Sequence, residues 1–290
     1  MKLKPPTTFK SQFEDYLYEN NTDGSGKASS YLKSLEWLRA MLDVESYGFS
    51  DCKDIWAIQD VSRIQHLRDR VLEEKRKQSK SLWVNDSIRV SYLRDGYCSS
   101  ALAELIEFIP QFLHSQKVLE VIKQHTGDAS ELAAKLNFEP NIPEGYVHDS
   151  KSQDGKDRIT EAKVRIGQQA FRQMILRNYN DCCCVTGLDI RTVNRASHII
   201  GWADPLGKKI RLDPRNGLCL SATYDAAFDK HLISLDDGYR MILSKDLKDH
   251  TSSASLQAYF LNKEGDVITL PDSYLPKKAY LEVHRGKGAF

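Results

Sequence analysis

What this chain lacks narrows it first. No apolar run approaches the roughly 20 residues needed to cross a bilayer. The opening stretch MKLKPPTTFKSQFEDYL has no apolar core of the kind a secretory signal carries, so a cytoplasmic location without a membrane partner is expected. There are no paired C-x2-C motifs, the usual framework of a structural zinc site. The six cysteines stand at 52, 98, 182, 183, 184 and 219, and the three adjacent ones cannot easily pair with one another. Reduced thiols used as small apolar side chains are expected, and a structural zinc built from Cys182, Cys184 and Cys219 is not. Internal repeats and low-complexity tracts are also missing. A net charge of +1 names no partner by itself.

The distribution of charge says more than its sum. Residues 1–150 hold 19 Lys+Arg against 23 Asp+Glu, and residues 151–290 hold 22 against 17. The C-terminal half is therefore mildly basic, as a surface facing nucleic acid would be. Apolar spacing in the first half is helical: residues 8–21, then Tyr31, Leu32, Leu35, Leu38, Met41 and Leu42, then Val61, Ile64, Leu67, Val71 and Leu72, and one or two helices over 99–125 interrupted by Pro110. Ser130 to Leu136 adds a short helix. Residues 137–158 carry two prolines, two glycines and many polar side chains, which reads as a linker.

Arg158 to Asn178 resumes a helical pattern, with basic Lys163, Arg165, Arg172 and Arg177 among its apolar positions. Cys183–Gly187 reads as a buried strand ending in a turn, and Val193–His198 as a second extended piece. Ser221 or Thr223 caps a short helix. A hairpin follows across Asp236-Asp237-Gly238, then a strand at 266–270 and a terminal helix from Lys278. The expected architecture is α+β, with a mostly helical domain at 1–140, a linker at 141–158 and a second domain at 159–290.

One stretch, ASHIIGWADPLGKKIRLDPRNGLCLSATYDAAFDKHL, concentrates the chemistry. His198 closes an extended segment, and its unperturbed imidazole, with a pKa near ~6.5, accepts a proton at neutral pH. Asn216 lies 18 residues on; before Gly217 it reads as a turn, or as a side chain that bonds backbone across the loop. Asp225 and Asp229 are one helical turn apart, on one face of an otherwise mostly apolar helix. Acids so placed repel each other unless a cation lies between them, and oxygen donors suit Mg²⁺, Mn²⁺ or Ca²⁺ better than zinc. Arg195, Lys208, Lys209, Arg211 and Arg215 flank the stretch. Together they would fit phosphate contacts, while singly each reads equally as surface charge.

This spacing resembles the HNH nuclease motif of the ββα-metal fold, and most closely a restriction-type subgroup with Asp at the last position. The resemblance rests on Arg165–Arg172, Cys183–Gly187, Ala196-Ser197-His198-Ile199, Asn216–Leu220 and Phe228-Asp229, and it covers about 160–290. It implies metal-dependent cleavage of a phosphodiester bond, with His198 as general base, Asn216 orienting it, and Asp225 and Asp229 holding one divalent ion, Mg²⁺ or Mn²⁺. It further implies double-stranded DNA as substrate, a homodimer for cutting both strands, and a restriction or phage-defence role. The N-terminal domain would bind DNA or mediate dimer contacts. Two positions depart from the family pattern: Asp225 stands where many members have His, and Ser197 where some have a metal ligand. The alternative reading is a non-catalytic DNA-binding protein on a degenerate form of the same fold.

Overall fold

Helix starts follow their caps. In the computed structural model, which describes residues 8–21, 24–144, 146, 153–249 and 253–290, the Thr8 hydroxyl accepts from Ser11 N to open α1 (Phe9–Asn20). α2 is Lys27–Val44, and the Asp60 carboxylate caps α3 (Val61–Lys77) by accepting from Ser62 N and Arg63 N. After the single turn α4 (Ser91–Arg94), α5 (Tyr97–Gln124) runs unbroken through Pro110. A proline costs an interior helix about 3 kcal/mol through its missing N–H and ring clash. Burial of Ile106, Phe108 and Ile109 on the same turn offsets this, and the Gln111 side chain donates to the Glu107 carbonyl. Asp128 caps α6 (Ala129–Lys135), and α7 is Gln153–Asn178.

The architecture is α+β: a helical N-terminal region, with the few short strands confined to the C-terminal part. β1 (Asn194–His198) pairs antiparallel with β2 (Gly217–Ser221), with His198 opposite Gly217 and Ser197 opposite Leu218. β2 leads directly into α8 (Ala222–Asp229), completing a ββα unit. The expected hairpin forms from β3 (Ile233–Leu235) and β4 (Met241–Leu243), closed by Asp236, whose carboxylate accepts from Gly238 N and Arg240 N. α9 (Lys245–Lys248), α10 (Ala254–Tyr259) and α11 (Lys278–Arg285) complete the chain.

Two expected strands are not strands. Cys183–Gly187 is a turn: Gly187 N donates to the Cys183 carbonyl, and Gly187 takes a φ of +71° that L residues avoid. Burial explains the apolar run there without a ladder, since Cys183 and Cys184 are core residues. At 266–270 only an isolated bridge forms, Arg240 with Val267.

The residues divide into two compact units, each assembled from two stretches: Met1–His114 with Pro140–Ile166, and Ser115–Glu139 with Gly167–Phe290. Two of the three boundaries between them fall inside α5 and α7, where no change of composition marks them, and the third lies between Glu139 and Pro140, within the proline- and glycine-containing stretch 137–158. Of the expected linker, residues 145 and 147–152 lie outside the described residues, and α7 has begun by Gln153. The first unit closes over Phe13, Leu17, Leu38, Met41, Ile64, Leu67, Trp83 and Leu102, all fully buried. The second closes over Phe171, Ile175, Leu218, Leu220, Phe228 and Leu281.

Candidate active site

The turn before β2 is built to present Asn216. Pro214 sets the backbone of the 3-10 turn Pro214–Asn216, and Asp213 caps it by accepting from Arg215 N at 2.9 Å. Asp213 is buried but fully served: the Arg215 guanidinium donates at 3.0 and 2.9 Å, and the Tyr280 hydroxyl at 2.9 Å. Burial, then the Asp213 charge, pushes Tyr280 up to about 12, which keeps it a neutral donor. Arg215 is therefore half of an internal ion pair. The expectation that it contacts phosphate meets a guanidinium already engaged, because a carboxylate two residues away competes for it.

Asn216 is completely buried. Its side-chain oxygen accepts from Ile200 N at 2.9 Å and its amide donates to the Ile200 carbonyl at 3.1 Å. Its own carbonyl accepts from Ile199 N at 2.9 Å. Three hydrogen bonds thus clamp the two residues that follow His198.

His198 itself is half-buried at the end of β1. Its imidazole stacks on Phe171 of α7, with centroids 3.5 Å apart and planes 15° from parallel, and meets Trp202 edge-on at 5.7 Å. The Trp202 indole N–H donates to His198 Nε2 at 2.6 Å, and the Arg211 carbonyl lies 3.2 Å from the same nitrogen. Loss of hydration among these rings pulls its pKa down to about 4, against the raising influence of the Arg211 carbonyl, so the ring is neutral at pH 7. Room for it depends on Gly217, where a Cβ would come 2.7 Å from Phe171 and 2.5 Å from Ile175.

α8 holds the two acids outward because its other face is anchored. Tyr224, Ala227 and Phe228 are buried; the Tyr224 hydroxyl donates to the Tyr259 carbonyl, and Phe228 stacks on His284 at 3.8 Å. Asp225 is half-buried and Asp229 exposed. Partial desolvation first, and the Asp225 charge second, raise the pKa of Asp229. That coupling is the repulsion expected of acids one turn apart. The Ser197 hydroxyl donates to the Asp225 carboxylate, so β1 and α8 meet at the position that departs from the family pattern. His198 makes no hydrogen bond to either acid among the described residues.

The donor set tests the idea of a metal. Among the described residues no group of three or more His, Cys, Asp or Glu converges. Two coupled carboxylates and a hydroxyl remain, an oxygen-only set that fits a hard divalent ion completed by water or phosphate.

The remaining basic candidates differ among themselves. Lys208 and Lys209 are exposed on a 3-10 turn. Arg195 is exposed, with Nη1 donating to the Thr192 carbonyl at 2.8 Å. The Arg211 guanidinium lies 5.0 Å from the Trp202 ring centre, and its Nε is buried with no hydrogen-bond partner among the described residues. Sequence reading missed Phe171 and Trp202. An aromatic in an amphipathic helix and a tryptophan in a Gly/Pro-rich loop carry no sign of the histidine they touch.

Residues 183–236 match the family model described as HNH endonuclease, a span that holds β1, β2, α8 and all four motif residues. No curated protein matches the chain.

Proposed function

From the match of residues 183–236 to the HNH endonuclease family model, we propose that this chain is a metal-dependent DNA endonuclease. The observation that carries the reading is the ββα unit itself: β1 ends on His198, whose two following residues Asn216 clamps, and α8, continuing directly from β2, carries a pair of coupled carboxylates. In this reading His198 takes a proton from water, the water oxygen attacks phosphorus, and the sugar oxygen leaves. Asn216 acts on His198 by holding Ile199 and Ile200. Asp225 and Asp229 would hold one Mg²⁺ or Mn²⁺ ion, which when bound supplies positive charge to the phosphate and the leaving oxygen. Lys208, Lys209, Arg195 and Arg211 would contact the DNA backbone.

The setting supported by the restriction-type resemblance is restriction or phage defence, in the cytoplasm, with a homodimer cutting both strands. Among the described residues no helix is long and apolar enough to cross a membrane. The test is supercoiled-plasmid nicking with Mg²⁺ or Mn²⁺. His198→Ala is expected to slow single-turnover nicking by about 10²–10⁴-fold, the range of a general base. Nicking by His198→Ala at the wild-type rate, with contaminating nuclease excluded, sinks the mechanism. Salt-dependent DNA binding with no cleavage under any divalent ion would instead favour the non-catalytic alternative.

A further inference from the structure

His198 Nε2 has two close neighbours that it cannot satisfy together. The Trp202 indole nitrogen is 2.6 Å away and the Arg211 carbonyl 3.2 Å away. An indole N–H only donates and a carbonyl only accepts, while a neutral imidazole has one N–H and one lone-pair nitrogen. The shorter contact requires Nε2 to turn its lone pair to Trp202. The ring proton then sits on Nδ1, which has no hydrogen-bond partner among the described residues, and the Arg211 carbonyl goes unused. In this state no ring nitrogen can accept a proton from water: Nε2 is covered and Nδ1 already carries hydrogen.

The same neighbours contain a way out of that state. The Arg211 guanidinium lies against the Trp202 ring, and its Nε has no acceptor among the described residues. A buried, unsatisfied charged donor costs free energy that an arriving phosphate oxygen would recover. Moving the guanidinium to phosphate removes the cation from the indole.

We propose that Trp202 is a positioning residue that holds His198 in the tautomer unable to act as a base, and that phosphate capture by Arg211 releases it. Once the indole N–H withdraws, the ring proton leaves Nδ1 for solvent and Nε2 takes one up. Nε2–H then donates to the Arg211 carbonyl, and the Nδ1 lone pair faces water. During cleavage Nδ1 takes the water proton as the water oxygen bonds to phosphorus. The bond from phosphorus to the sugar oxygen breaks, and that oxygen is protonated from solvent. The chemical step rests on the nuclease reading above; the tautomer does not.

The test separates the two. Metal-free protein labelled with ¹⁵N at histidine and tryptophan is examined by ¹⁵N–¹H correlation, which distinguishes Nδ1–H from Nε2–H. Wild type is expected to show Nδ1–H at His198, with a through-hydrogen-bond coupling from the Trp202 indole nitrogen to Nε2. Adding a DNA duplex in EDTA, where no cleavage occurs, is expected to shift it to Nε2–H and abolish the coupling. Trp202→Phe keeps a ring beside Gly167 and removes the donor. It is expected to show Nε2–H without DNA, and to raise the single-turnover nicking rate about fivefold at unchanged KM, the size of one neutral hydrogen bond.

Nε2–H in free wild type, retention of Nδ1–H in Trp202→Phe, or a shifted tautomer with slower nicking would each overturn the proposal. If Trp202→Phe does not fold, the wild-type spectra with and without DNA decide it. If no form of the protein cuts DNA, the nuclease reading fails, while the tautomer spectra still decide whether Trp202 controls the ring.

Discussion

At the scale of single residues, the site is governed by which polar groups are already engaged. Asn216 serves one backbone N–H and one carbonyl that are otherwise buried. Asn216→Ala leaves both without a partner, and each is worth about 1–3 kcal/mol. Chemical denaturation is expected to show a loss of that order, with a slower nicking rate at unchanged DNA affinity, since in the proposed mechanism the residue acts through His198. The histidines impose a pH dependence. Burial depresses His198 to about 4, and burial, with the neighbouring His231, depresses His284 to about 4. The unfolded chain binds these protons near pH 6.5, above the folded values, so stability is complete above that pH and is lost as pH falls toward 4. Thermal melts from pH 7 to pH 4 are expected to show a falling Tm, and His284→Phe to flatten part of the fall. A Tm independent of pH over this window would contradict the burial of both rings.

At the scale of elements, register decides what faces what. The β1–β2 pairing brings Ser197 against α8, where its hydroxyl meets Asp225. Ser197→Asp places a third carboxylate beside the pair. Calorimetry with Mn²⁺ is expected to show affinity higher on the order of tenfold, since charge count tunes such sites over decades. The start of β2 packs directly on α7. Gly217→Ala drives a methyl into Phe171 and Ile175. Overpacking of this kind costs about 1–3 kcal/mol. Because Phe171 is the ring His198 stacks on, nicking is expected to fall further than DNA binding does. Equal loss of both would mean the strain is not passed to the histidine.

At the scale of the whole molecule, the proposed metal separates activity from stability. Asp225 and Asp229 repel each other on a short helix whose buried face is anchored without them. Removing divalent ions with EDTA is expected to abolish nicking and leave the fold intact. Saturating Mn²⁺ is expected to raise Tm modestly, by preferential binding to the folded state. A metal-free protein that unfolds would point to a structural role instead. The longer helices, the Asp236–Gly238 turn and the histidine–asparagine–acid spacing were legible from residue pattern, because helical periodicity, caps and turn chemistry act over a few residues, whereas the ββα order came only with the family resemblance, β2 not having been read as a strand. Pro110 shows where local rules stop: its turn continues because the apolar residues beside it are buried. The unit boundaries inside α5 and α7 leave no trace in composition. The engagement of Arg215 by Asp213, the turn at Cys183–Gly187, and the Phe171 and Trp202 walls of His198 were likewise decided only by tertiary contacts. Sequence could name the histidine as a base. Whether its nitrogens are free depends on neighbours that only packing brings near.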